Sequence, residues 1–399
     1  MHITITRPDT KWKHEDASEA LFDDLVLSNG LTGLIDNHNR EFIKNLIAGR
    51  SDTCPKEKQF LFDIVANKRN GLDVDKFDYI ARDSRAVDNQ ALSFMTRLIN
   101  SARVIEHQIC YDIKDANQVY ELCYTRFSLH KRIYNHKTAK AIEYMIVDAL
   151  LSAEPHMKIA ERIHDMKRFV WLTDSILTEI QASTAPELVE ARSICERINR
   201  RDLYKAVDYN VFPWDHKQQC QEYFTPERIV QAAKGLKTLD TDEHKLDEDS
   251  VKALESKHVI VDLAPMHYGM GDRNPLEKVK FYSKRSPNAC LSAEPGDISL
   301  LMPAVFGEVL LRVYTRDSRF FGLVQAGYRE CLKKFKRDTP SSSQQNLSDN
   351  HFTTVPANYK PPSPGKGVKR TLGSQLNVNE PLKRRAISYS AAELKMRSR

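Results

Sequence analysis

Apolar residues recur at helical spacing through roughly the first 210 positions, then give way to short β-branched runs. The clearest stripe is Ile142, Met145, Ile146, Ala149 and Leu150 within 123–151, an i, i+3, i+4 pattern. Weaker stripes predict helices near 41–48, 91–105, 159–182 and 186–207. After "VDYNVFPWD" the texture changes: "HVIVDL", "VKFYSK", "DISLL" and "EVLLRVY" read as strands separated by turn-forming segments such as "GMGDRNP". A last helix is expected at 318–336, with Phe321, Val324, Tyr328, Cys331 and Phe335 on its apolar face. From residue 339 onward "TPSSSQQNLSDN" and "PPSPGKGVKR" offer little to bury and read as disordered. The expected fold class is mainly α: a helical domain over 1–207, a smaller α+β lobe over 208–338 and a basic tail over 339–399.

Composition narrows the class. With 399 residues, 41% of them hydrophobic, 29% charged and only 14 glycines, the chain reads as soluble, globular and helix-rich. The seven cysteines (54, 110, 123, 195, 220, 290 and 331) include no CxxC pair, which argues against a zinc ribbon and points to a reducing compartment. The longest apolar run, "LLMPAVFGEVLL", is broken by Pro303 and Glu308, so no membrane span is expected. The net charge of +6 is uneven: residues 339–399 carry ten Lys/Arg and three Asp/Glu, a net of +7, leaving about −1 for the rest. The clusters "KGVKR" and "PLKRR" resemble a bipartite nuclear import signal, and a tail of this charge also suits single-stranded nucleic acid.

Charge is densest in "NKRNGLDVDKFDYIARD", residues 67–83. At about 100° per residue, Val74, Phe77, Ile80 and Ala81 share one helix side, while Asp75, Lys76, Tyr79 and Asp83 share the other. A phenol between a lysine and two carboxylates reads as the lining of a cleft. In "YTRFSLHKRIYNHK", residues 124–137, Arg126, His130, Tyr134 and Lys137 fall in one helical stripe. Arg offers a planar fork to phosphate oxygens, Lys a point charge, and Tyr a flat apolar face with a polar tip. The two faces together suit a polyphosphate with a sugar or base beside it.

These two stretches, with "ERINRRDLYK" and "MHYGMGDRNPLEKVKFYSK", resemble in order the SAM-and-HD-domain deoxynucleoside triphosphate triphosphohydrolases, and the resemblance runs from about residue 5 to about 335. It implies hydrolysis of a dNTP to deoxynucleoside and triphosphate, with a divalent metal (Zn, Fe or Mg/Mn) as cofactor. It further implies Asp75 as a metal ligand, Lys76, Tyr79, Asp83, Arg126, Tyr134 and His136 as substrate-binding residues, and His14 as a catalytic histidine near the scissile phosphate. Arg97, Lys114, Arg201, Lys205 and Lys284 match cationic positions that grip activating GTP/dGTP and dNTP between subunits of a tetramer. Arg201 and Lys205 would sit one helical turn apart. In the alignment, Asp112 replaces a phosphate-facing arginine, Phe94 a carboxylate and Ser101 an aromatic, which weighs against activation in its usual form.

In the family a further histidine and a His-Asp dipeptide lie upstream of the segment matched by "WKHE", whereas this sequence has eleven residues before Trp12. Three of four metal ligands are therefore expected to be missing, since His164-Asp165 and "HNR" at 38–40 fall elsewhere in the alignment. The leading expectation is a triphosphohydrolase of this family, impaired in this form. A non-catalytic nucleotide- or single-stranded nucleic-acid-binding protein, or a regulatory subunit, is the second. The two basic clusters point to nuclear residence, with the cytoplasm as a further location, and the resemblance implies a part in antiviral defence. Deleting residues 360–399 is expected to move a fluorescent fusion out of the nucleus, and an unchanged distribution by microscopy refutes the import signal.

Overall fold

The computed structural model describes residues 12–54, 57–88, 92–236, 248–294, 298–299 and 301–339. The basic tail, and with it the import signal, lies outside the described residues. In chain order the elements are α1 (His14–Ser28), α2 (Asn37–Ala48), α3 (Phe60–Val65), α4 (Val74–Asp88), α5 (Ser93–Ser101), β1 (Arg103–Ile105), β2 (Gln108–Asp112), α6 (Ala116–Leu129), α7 (Lys137–Met157), α8 (Met166–Phe169), α9 (Ser175–Ala182) and α10 (Val189–Asn199). There follow β3 (Lys205–Pro213), α11 (Lys217–Tyr223), α12 (Pro226–Lys234), α13 (Glu248–Ala253), β4 (Val259–His267), β5 (Lys280–Tyr282), β6 (Leu291–Ser292), β7 (Gly307–Thr315) and α14 (Phe321–Asp338). The protein is mainly α, and the described residues form two small sheets ordered β1-β2-β5-β6 and β3-β7-β4.

The apolar run "EVLLRVY" becomes the middle strand, β7, hydrogen-bonded antiparallel to β3 on one side and β4 on the other. Such a strand is covered on both faces, which is why its sequence does not alternate cleanly. Val309, Leu311 and Val313 point into a core with Ile229, Val324, Tyr328 and Phe335 of α12 and α14. Tyr314 turns the other way, to Met145 of α7 and Ile260 of β4. A second core joins Ile80, Met95, Leu98, Val119, Leu122 and Leu129 to Tyr268, Leu276, Val279, Phe281 and Phe306. Residues on both sides of position 208 thus share one core, which backs the polar residues of α4 and α6.

Several local expectations fail for identifiable reasons. The 67–83 segment is not one helix. Residues 67–73 form a loop in which Asn67 Oδ1 accepts from the Arg69 and Asn70 amides (3.0 and 3.2 Å), with Gly71 at φ 76°. Asp73 then opens α4 by accepting from the Lys76 amide at 3.3 Å. At this first turn Val74 overhangs the core and is 54% exposed. The helix expected over 91–105 ends at Ser101, because Val104 and Ile105 pair with β2 across a turn whose Glu106 and His107 both have positive φ. The helices expected over 159–182 and 186–207 are also interrupted, the latter giving way to β3 at Lys205. The 318–336 helix forms as expected, but Phe321 sits at its exposed start and Leu323 takes the buried place.

Gly327 marks where α14 crosses α12 most closely: a Cβ there would lie 2.4 Å from the Ile229 carbonyl and 2.8 Å from Ala233 Cβ. Neither is a flexible side-chain end, so the helices must part to accept a methyl. Gly327→Ala is expected to destabilise the fold by about 1–3 kcal/mol, a Tm loss of several degrees in calorimetry, and an unchanged Tm refutes this packing.

Candidate functional site

The substrate-facing residues expected from the sequence come from two elements that cross. Helix α4 carries Lys76, Tyr79 and Asp83 on one side. Helix α6 carries Arg126 and runs into a π-helical segment, His130–Tyr134. Single π turns are frequent at functional sites because they re-aim side chains without ending the helix. Here the extra residue changes the phase, so the expected stripe does not extend to Lys137, which opens α7 after a break at Asn135 and His136.

The result is a connected cluster. Tyr134 donates its hydroxyl to Asp83 Oδ2. The rings of Tyr79 and Tyr134 lie 6.4 Å apart, and His130 packs edge-on against Tyr134 at 4.9 Å. Burial and the Asp83 carboxylate hold the Tyr134 phenol well above its usual range, so it stays a neutral donor. Burial raises Tyr79 as well, against the opposing pull of the neighbouring Arg126 and Lys76 cations. Burial would discharge Lys76, but Asp73 at 3.2 Å and Asp75 at 3.3 Å outweigh it and keep the ammonium charged. Arg126 donates Nη1 to the His267 carbonyl at 2.8 Å, tying α6 to the end of β4. Burial and Arg126 together push His130 and His267 down to about 4.

Other expected residues stand apart from this cluster. His14 is 86% exposed and pairs with Glu15 at 3.3 Å. His136 is exposed and caps α7, its Nδ1 accepting from the Thr138 amide at 3.3 Å. Asp75 is 69% exposed. Among the described residues no three His, Cys, Asp or Glu side chains are grouped to hold a metal ion. Asp75, with an ammonium against it, does not fit a metal by itself.

The cationic positions also divide. Arg97 is committed to the buried Asp115 at 2.6 Å. Lys114 and Lys284 are exposed. Arg201 and Lys205 are not on a shared helical turn: Arg201 has φ 62° just past the end of α10, and Lys205 begins β3 opposite Thr315. Of the substituted positions, Asp112 accepts from the Lys114 amide at 3.1 Å to cap a 3-10 turn, Phe94 packs against the core and Ser101 bonds the Leu98 carbonyl. His267 escaped sequence reasoning although "MHYGMGDRN" was in view, because only the fold brings it beside Arg126. The glycines at 269 and 271 were the available signal.

Residues 95–266 match the family described as HD associated region. The chain is 33% identical over 360 residues to the deoxynucleoside triphosphate triphosphohydrolase SAMHD1 homolog of Dictyostelium discoideum, covering 90% of this chain and 62% of that protein. It is 35% identical over 345 residues to deoxynucleoside triphosphate triphosphohydrolase SAMHD1 of Homo sapiens, covering 79% and 53%. It is 26% identical over 345 residues to the putative HD domain-containing protein L394 of Acanthamoeba polyphaga mimivirus, covering 81% and 69%. The match over 95–266 and the observed elements describe a mainly helical protein carrying an HD-associated region. By its relatives the chain belongs to the SAMHD1-like family, and it spans about half to three-fifths of the length of the SAMHD1 relatives named here.

The low values of His130 and His267 fix a sign for pH dependence. Unfolded, each histidine takes up a proton near pH 6.5; folded, each does so only near 4, so the unfolded chain binds more protons between those limits. Stability is expected to fall as pH drops from about 6.5 toward 4. Thermal melts at pH 7.5 and 5.0 test this: the drop should shrink in His130→Gln/His267→Gln, and a drop of the same size refutes the assignment.

Proposed function

We propose that this chain carries the nucleotide-gripping wall of a deoxynucleoside triphosphate triphosphohydrolase, acting on dNTP and water to give deoxynucleoside and triphosphate. The observation that carries the reading is the Asp83–Tyr134–Tyr79–Arg126 cluster, supported by the names of the SAMHD1 relatives. Each group has a distinct task. Asp83 keeps one carboxylate oxygen for Tyr134 and has the other for a sugar hydroxyl. Tyr79 and Tyr134 offer ring faces to the deoxyribose, and Lys76 and Arg126 neutralise phosphate oxygens. Water attacks the α-phosphorus, and the bond to the sugar oxygen breaks to release the deoxynucleoside.

Asp75 would contribute one ligand to the divalent metal implied by the family, and no step is assigned to that ion because the described residues do not assemble its site. His14 and His136, exposed here, would reach substrate only if it extended to them. Arg97, Lys114, Arg201, Lys205 and Lys284 as activator contacts, a tetrameric assembly, nuclear residence and a part in antiviral defence belong to the same proposal. The isolated position of Asp75 favours a second reading, in which the chain binds nucleotides and tunes longer relatives without turning over itself.

The deciding experiment measures dGTP binding by calorimetry and triphosphate release with a divalent ion present, in wild type and Asp83→Ala. Binding with release, both reduced about tenfold or more in Asp83→Ala, supports the enzyme. Binding without release supports the second reading. Absence of nucleotide binding overturns both.

A further inference from the structure

The turn after β4 is built around one imidazole. His267, the last residue of β4, accepts on Nδ1 from two backbone amides, Gly269 at 3.0 Å and Gly271 at 3.3 Å. A ring nitrogen that accepts two N–H bonds cannot carry a proton, so the hydrogen of the neutral ring lies on Nε2. Both glycines have positive φ, 142° and 69°, and a Cβ on Gly271 would come within 3.1 Å of Trp214 Cζ2. Glycine is thus needed at 271 both for conformation and for space. Trp214 closes on the imidazole edge-on at 5.4 Å. The ring is therefore held in orientation and tautomer by the turn that follows it and by Trp214.

Its Nε2 is left over. No hydrogen-bond partner for it occurs among the described residues, and it is not among the sealed, unsatisfied polar atoms, so it is open to solvent or to a ligand. The charges acting on the ring are cationic: Arg126, which also bonds the His267 carbonyl, and Lys217, whose Nζ lies 5.4 Å from the Trp214 ring centre. Glu308 stands on β7 next to the residue paired with His267, but Lys131 engages it at 2.7 Å. An oriented N–H donor with cations beside it is a place for an anionic oxygen.

We propose that His267 is a substrate-contacting residue whose Nε2–H donates to a phosphate oxygen of the bound polyphosphate, next to Arg126. This rests on the nucleotide-binding reading above and extends it to β4, outside the two helices that supply the other contacts. The low proton affinity of the ring agrees with the geometry: the donor is the neutral imidazole, so the contact persists across neutral pH without a change of charge.

The test uses the full chain and inorganic triphosphate, with deoxyguanosine as the uncharged control, in isothermal titration of wild type, His267→Ala, His267→Gln and Arg126→Ala. His267→Ala is expected to weaken triphosphate binding about tenfold, the size of one hydrogen bond to a charged group, and to leave deoxyguanosine binding unchanged. His267→Gln, whose amide N–H₂ replaces Nε2–H, is expected to recover most of the loss, which a merely structural role would not predict. If Arg126→Ala loses triphosphate while His267→Ala binds it as wild type does, the inference about His267 fails and the nucleotide-binding reading stands. If wild type binds no triphosphate, both fail. Should His267→Ala unfold, the ¹⁵N resonance of His267 Nε2 in wild type decides: it should shift when triphosphate is added, and a stationary resonance overturns the proposal.

Discussion

Arg126 is the constraint on which the site depends. Its guanidinium leaves α6, donates to the carbonyl that ends β4, and stands beside Tyr79 of α4 and the imidazoles of His130 and His267. A half-buried cation must be satisfied from several directions, and here the directions are the three elements that make the cleft. Removing it would take away one tie between α6 and the end of β4, leaving the shared core in place, and would leave the cleft without its central positive charge. The same group that ties α6 to β4 is therefore the one to which the proposed function gives the phosphate.

Around that centre, polar groups are arranged to keep one another in fixed protonation states. Tyr134 is held neutral by Asp83, Lys76 is held charged by Asp73 and Asp75, and the two histidines are held neutral by burial and Arg126. The outcome at neutral pH is an acidic edge at Asp83, a basic edge at Lys76 and Arg126, and two aromatic faces between. In the proposed function, that division would take a sugar hydroxyl at one end and phosphates at the other. The core behind it is shared by residues before and after position 208, so the lobe carrying β4 helps to set the geometry of the helical face.

What is absent from the cluster is as specific as what is present. Asp75 lies on the helix that carries Lys76 and Tyr79, yet it points into solvent beside an ammonium. The polar cluster and Asp75 are thus separate in this chain: the described residues bring Asp83, Tyr134, Tyr79 and Arg126 together, and no group of three His, Cys, Asp or Glu side chains forms among them. The cationic positions expected from the sequence divide in the same manner, with Arg97 paired to the buried Asp115 and Arg201 and Lys205 on different elements.

The sequence alone determined the class of fold, the two polar stretches and most of the residues that meet. These follow from local periodicity: Tyr79 and Asp83, four residues apart, share a helix side whatever lies opposite. It could not determine where a helix yields to a better competing interaction. Asp73 and Asn67 outbid helix for residues 67–73, strand pairing claimed Val104 and Ile105, and the π turn at His130–Tyr134 rotated Tyr134 onto Asp83 and dropped Lys137 from the stripe. Nor could it join Arg126 to His267, 141 positions away, because nothing local in either segment encodes the other. Periodicity records which face a residue occupies, while the partner across the cleft is chosen by long-range packing of the shared core, and only the tertiary structure contains that choice.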